Sequence, residues 1–128
     1  MMKSEALTHE VIGAAMEVHS ALGPGFIESI YESALLHELH LRGLATQSER
    51  EVRVTYKGRV VGTHRLDLVV GEELVVELKA VNGIAQAHVS QTLSYLKATG
   101  LEVGLIVNFG EASLVWKRLI NTPRMSRI

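Results

Sequence analysis

Asp67 precedes the tripeptide Glu77-Leu78-Lys79 by ten residues, and both stand in apolar runs, Leu66 to Val70 and Leu74 to Lys79, that read as β-strands. Side chains of a strand alternate between faces. Asp67 therefore shares a face with Val69, opposite Leu66, Leu68 and Val70, while Glu77 and Lys79 lie with Val75, opposite Val76 and Leu78. If Gly71-Glu72-Glu73 is a three-residue turn centred on Glu72, Asp67 faces Glu77 across the hairpin and two carboxylates meet. A two-residue loop would separate them. Like charges placed side by side repel, which is readily understood when a divalent cation lies between them. Hard oxygen ligands suit Mg²⁺ or Mn²⁺, ions that keep positions open for water and a phosphate oxygen. Lys79, on the same face, is suited to orient or deprotonate a water, or to stabilise charge at phosphorus. The chemistry suggested is phosphodiester hydrolysis. A solvent-facing strand with ordinary, weak ion pairs would use the same residues, and spacing alone leaves both readings open.

Two helices must precede this sheet. From Thr8 to Leu22, Val11, Ala14, Ala15, Val18 and Leu22 recur at helical spacing until Gly23-Pro24-Gly25 breaks the chain. From Phe26, the residues Ile27, Ile30, Ala34, Leu35 and Leu39 repeat the period until Gly43. Glu28, on the first turn, would favour the positive end of the helix dipole. The texture changes at Glu51: Val52, Val54 and Tyr56 alternate, Lys57-Gly58 turns the chain, and Arg59 to Val70 returns, so a three-strand antiparallel meander ends at Lys79. A helix follows from about Ala85 to Thr99, with His88, Gln91 and Tyr95 on one face and Val89, Leu93 and Leu96 packing inward. Val103 to Phe109 is apolar nearly throughout, as a central strand would be, and Ser113 to Arg118 adds an edge. The order ααβββαββ predicts an α/β sandwich with a mixed β-sheet flanked by helices. One domain over residues 1–128 is expected, with flexible ends at 1–6 and 121–128.

Composition narrows the partners. The chain has no cysteine, which removes thiolate metal sites, thiol nucleophiles and disulfides. The N-terminal MMKSEALTHE lacks an apolar core and no segment approaches a membrane span, so a cytoplasmic protein without membrane contact is expected. A formal charge of −1, from 13 Lys plus Arg against 14 Asp plus Glu, provides no global basic field, although Lys117, Arg118, Arg124 and Arg127 make the C-terminal segment basic. Aromatic residues form only 5% of the chain, which disfavours a carbohydrate cleft built on paired carboxylates.

Asp67, then Glu77-Leu78-Lys79, then Gln91-x-x-x-Tyr95 resembles the PD-(D/E)xK nuclease superfamily, in particular its RecB-like branch. Gly25-x-x-Glu28-x-x-Tyr31 resembles the signature of the GxxExxY family, small bacterial proteins placed in that superfamily, and the likeness runs from about Leu7 to Arg118. The resemblance implies a restriction-endonuclease-like core. It makes Asp67, Glu77 and the Leu78 backbone carbonyl ligands of Mg²⁺ or Mn²⁺, Lys79 the catalytic lysine, and Glu28 a third acid, directly or through water. Gln91 and Tyr95, with His88 beside them, would support the site or touch a substrate phosphate, and Tyr31 would pack or orient Glu28. The proline that often precedes the aspartate is absent, since Arg65-Leu66 stands there. His64 falls one alternation away from Asp67 and reads as a core or edge histidine. His37 and His40, at i and i+3, read as solvated. The implied function is metal-dependent cleavage of nucleic acid, DNA before RNA, by a homodimer or with a partner protein. Arg65, Lys97, Lys117 and Arg118 are candidates for a phosphate track. The competing reading is a non-enzymatic nucleic-acid-binding or regulatory module that keeps the fold. Convergence of the Asp67 and Glu77 carboxylates separates the two.

Overall fold

Gly23 (φ 69°) and Gly25 (φ 118°) take backbone conformations that side chains with a Cβ rarely adopt, and the chain between the first two helices turns on them. The computed structural model describes residues 4–121. In order, the elements are α1 (Glu5–Leu22), α2 (Glu28–Leu41), β1 (Thr46–Tyr56), β2 (Arg59–Val70), β3 (Leu74–Lys79), α3 (Gln86–Thr99), β4 (Val103–Asn108) and β5 (Val115–Ile120). The sheet order is β1-β2-β3-β4-β5. Neighbours are antiparallel except β3 and β4, which run parallel because α3 crosses between them. The α/β class and the order ααβββαββ are as expected.

The sheet is covered on both faces. Leu68, Val70, Val76, Leu78, Leu105 and Val107 pack beneath α1 and α2. Val52, Leu66, Val69, Val75 and Ile106 pack against α3. β4 is buried along its whole length, as a doubly covered strand must be. Gly104 sets the approach of α3, since a Cβ there would lie 3.1 Å from Thr92 Cγ2 and 3.3 Å from Leu96 Cδ1.

α2 departs from its expected pattern. It starts at Glu28, with Ile27 as the capping residue, and buries Tyr31, Leu35 and Leu39. Ile27 and Ile30 are 67% and 41% exposed. Tyr31 holds the inward position: its ring stacks on Phe109 at 4.6 Å between centroids. Its hydroxyl donates to Gly23 O at 2.5 Å and accepts from Phe26 N at 3.1 Å, so the phenol ties the Gly-Pro-Gly loop to the helix it precedes.

The second departure shapes the site. β1 and β2 pair Ser48 with Leu68 and Arg50 with Leu66, passing over Glu49 and Asp67. Glu49 has φ 53°, in the left-handed region. The kink resets the alternation of β2: Leu66 lies on the α3 face with Val69, not beside Leu68 and Val70 as strict period-2 counting requires. Above it β1 and β2 continue as an arm, with Val54, Tyr56, Val60 and Val61 exposed.

Smaller differences are local. β1 begins at Thr46, ahead of the apolar alternation, because an edge strand pairs its backbone without burying its side chains. β5 runs to Ile120. Of the ends expected to be flexible, residues 1–3 and 122–128 lie outside the described residues, along with Arg124 and Arg127. Glu5 and Ala6 open α1 instead, and Asn121 N donates to Glu102 O at 2.7 Å. No helix among the described residues is long and apolar enough to cross a membrane.

Candidate active site

The turn at Gly71-Glu72-Glu73 has the expected length, with Val70 paired to Leu74, Val69 to Val75 and Leu68 to Val76. There the ladder between β2 and β3 stops. β3 stays paired to β4 through Lys79↔Asn108 while β2 follows β1, and the two strands form a fork. Asp67 and Glu77 bridge its base with their side chains. Asp67 N donates to Glu77 Oε2 at 2.9 Å, and Leu78 N donates to Asp67 Oδ2 at 2.9 Å. Each carboxylate thus accepts the amide that a backbone carbonyl would have taken. Because the N–H and C=O of one strand residue point to the same edge, the Leu78 carbonyl also faces the fork.

The charges are strained. Glu77 is 4% exposed. Burial, then the charge of Asp67, pushes its carboxyl up to about 8, against the Asp67 amide and Lys79. Asp67 is raised as well, chiefly by burial and further by Glu28, against the Leu78 amide, Lys79 and His64. Lys79 acts on both acids without a contact ion pair.

Glu32 belongs to the same field. Burial first, then Asp67, Glu49 and Glu28, raise its carboxyl to about 7. Sequence reasoning passed over this residue, although it stands one helical turn after Glu28 and so faces the same way. Glu28 itself is exposed on the first turn of α2, near enough to repel Asp67.

The remaining candidates divide. Tyr95 is 8% exposed. It is pushed up to about 12 by burial and then by Glu77 and Asp67, which places it beside the acids. Its ring stacks on His64 at 4.0 Å, with 3.3 Å between the hydroxyl and His64 Nδ1. The kink at Asp67 brings His64 to that face, where strict alternation had separated it from the site. Gln91 is exposed. His88 Nδ1 accepts Ala85 N at 3.0 Å, which occupies the ring in capping α3. Tyr95 does not share an outward face with His88 and Gln91, because it packs toward the sheet with Val89 and Leu96. Tyr31 serves the loop before α2, as described. Arg65 on β2 and Lys117 and Arg118 on β5 are separated by two strands, roughly 14 Å of sheet, and do not form one track.

Among the described residues no three His, Cys, Asp or Glu side chains close on a single metal position. The donor set still suits a hard divalent cation: two neighbouring carboxylates with raised proton affinity, each bonded to an amide through one oxygen, and the Leu78 carbonyl on the same strand edge. A site using two protein carboxylates and water matches the coordination habit of Mg²⁺.

These shifts predict a pH dependence of stability in EDTA. Unfolded, Glu77 loses its proton near 4.5; folded, it holds the proton to about 8. Between these values the native state binds more protons, so stability should fall as pH rises from about 4.5 to about 8. Thermal melts at pH 5.5 and 8.5 check this, with a Tm at least a few degrees lower at the higher pH. Glu77→Gln should flatten most of the slope. A Tm that rises with pH would contradict it.

A family model of the PD-(D/E)XK nuclease superfamily matches residues 5–119. The crystal structure of SSO0001 is similar in fold, with a TM-score of 0.57 at 19% identity over 94% of this chain and 61% of that chain. The chain thus spans about three-fifths of that protein's length. An alkaline exonuclease, LHK-Exo, from Laribacter hongkongensis gives a TM-score of 0.48 at 14% identity, covering 95% of this chain and 73% of that chain. No curated protein matches the sequence.

Proposed function

The chain belongs to the PD-(D/E)XK nuclease superfamily, and from that premise we propose that it hydrolyses phosphodiester bonds of DNA with Mg²⁺ or Mn²⁺. The observation that carries the reading is the fork, where Asp67 and Glu77 meet through reciprocal carboxylate-to-amide hydrogen bonds and both feel the charge of Lys79. Two acids facing opposite sides would have favoured a non-enzymatic module. Within the superfamily, Gly25, Glu28 and Tyr31 support placement in the GxxExxY family.

Asp67, Glu77 and the Leu78 carbonyl would hold the cation, with Glu28 reaching it directly or through water. When bound, a divalent cation supplies Lewis acidity toward the phosphodiester and lowers the pKa of water. Lys79 presents an ammonium donor where charge builds on the phosphoryl oxygens and orients the attacking water. Tyr95, backed by His64, closes the α3 side of the site, and Gln91 stands one turn earlier on the rim. A cytoplasmic homodimer goes with this reading, and a monomeric mass by light scattering would overturn the dimer.

The test is cleavage of labelled single-stranded, duplex and branched DNA, and of RNA, by the purified protein with Mg²⁺, Mn²⁺ or EDTA. Cutting that requires the cation, with DNA preferred, is expected. No cutting of any substrate, together with no heat of metal binding in calorimetry, would replace the enzyme by a nucleic-acid-binding or regulatory module.

A further inference from the structure

Between the β1–β2 arm and α3 lies a cavity of about 410 Å³, lined among others by Val52, Arg53, His64, Tyr95, Lys97 and Ala98. It adjoins the acids, since the His64–Tyr95 stack is both part of its wall and the neighbour of Asp67 and Glu77. Its lining is largely apolar and aromatic, and the two charged residues among the described lining, Arg53 and Lys97, are cations. No carboxylate among the described residues lines it. Two arginines nearby are engaged, Arg50 with Glu72 at 2.8 Å and Arg65 with Glu49 at 3.6 Å. Arg53 and Lys97 are exposed and make no ion pair with a described residue.

We infer that this groove is a subsite for one nucleotide of a single DNA strand, with the backbone phosphates held by Arg53 and Lys97 and the base laid against the apolar and aromatic wall. The inference deepens the nuclease reading and rests on it for the choice of ligand. Three observations converge. The volume is at the small-ligand end of the pocket range, room for one unstacked nucleotide and not for a base pair. The lining combines cations with aromatic surface, the pairing that recognises single strands without reading sequence. The groove also opens beside the acids, so a strand seated in it is led to the fork. Duplex DNA would have to fray to enter.

The experiment is fluorescence anisotropy of a labelled single-stranded oligonucleotide and of its duplex in EDTA, where binding is read without cleavage. Two sets of variants separate charge from space: Arg53→Ala with Lys97→Ala, and Ala98→Trp, which fills the groove from an exposed helical position. Thermal melting verifies that each variant folds. The double alanine variant should weaken single-strand binding about tenfold, and two lost phosphate contacts should lower the slope of log K against log salt by about 1.4. Ala98→Trp should weaken single-strand binding with little change in slope, and neither set should alter duplex binding as much. Equal losses for single strand and duplex, an unchanged slope in the double variant, or no single-strand binding by the native chain would overturn the subsite. Native cleavage with an unaffected groove would sink the subsite alone. Groove binding without cleavage under any metal would sink the nuclease reading alone.

Discussion

Lys79→Ala should abolish most of the metal-dependent cleavage while leaving the fold intact, a loss of about 100-fold to 10,000-fold in rate at saturating substrate. Lys79 makes no contact ion pair with a described residue and is only half-buried at the end of β3, so truncating it removes no ion pair among the described residues. Its charge lowers the proton affinity of both Asp67 and Glu77. The variant should therefore need a higher pH, or more cation, to ionise the pair. Calorimetric metal titration beside single-turnover cleavage separates this weaker metal binding from the lost chemical step. Full cleavage by a folded Lys79→Ala protein would remove Lys79 from the mechanism.

Asn108→Ala should destabilise the fold by about 2–4 kcal/mol. Asn108 is fully buried at the end of β4. Its Oδ1 accepts Val81 N and Gly110 N, each at 3.0 Å, and its Nδ2 donates to Val81 O at 3.0 Å and Glu111 Oε2 at 2.9 Å. One amide thereby pins the chain where it leaves β3, just past Lys79, and Phe109 N donates to Lys79 O at 2.8 Å beside it. The packing is tight: a Cβ on Gly110 would overlap the Val81 backbone. Alanine leaves three backbone groups to find water in a half-closed place. Urea unfolding measures the cost, and a change below about 1 kcal/mol would refute the pinning role. Cleavage should fall too, because the segment that positions Lys79 loosens.

Much of the frame was readable because it rests on periodicity and turn chemistry. Gly23-Pro24-Gly25, Lys57-Gly58, Gly71-Glu72-Glu73 and Gly100 punctuate the elements. The three-residue turn fixes the register that brings Asp67 toward Glu77. The kink at Glu49 and Asp67 left no such mark: a glutamate holds the left-handed conformation where glycine or asparagine would have announced it. Counting alternation through it misplaced Leu66 and set His64 apart from the site. Ile27 and Ile30 misled for another reason. They satisfy the helical period, yet the stacking of Tyr31 on Phe109 decides which side of α2 is buried. Asn108 could not be found from sequence at all, since the groups it satisfies belong to loops whose paths depend on the finished sheet.

Asp67 and Glu77 close the sheet as well as carrying charge, so a lineage that had given up catalysis would still be held to its acids by folding. Lys79 closes nothing. In a set of such chains the acids would mark the architecture, and the lysine would tell working copies from retired ones.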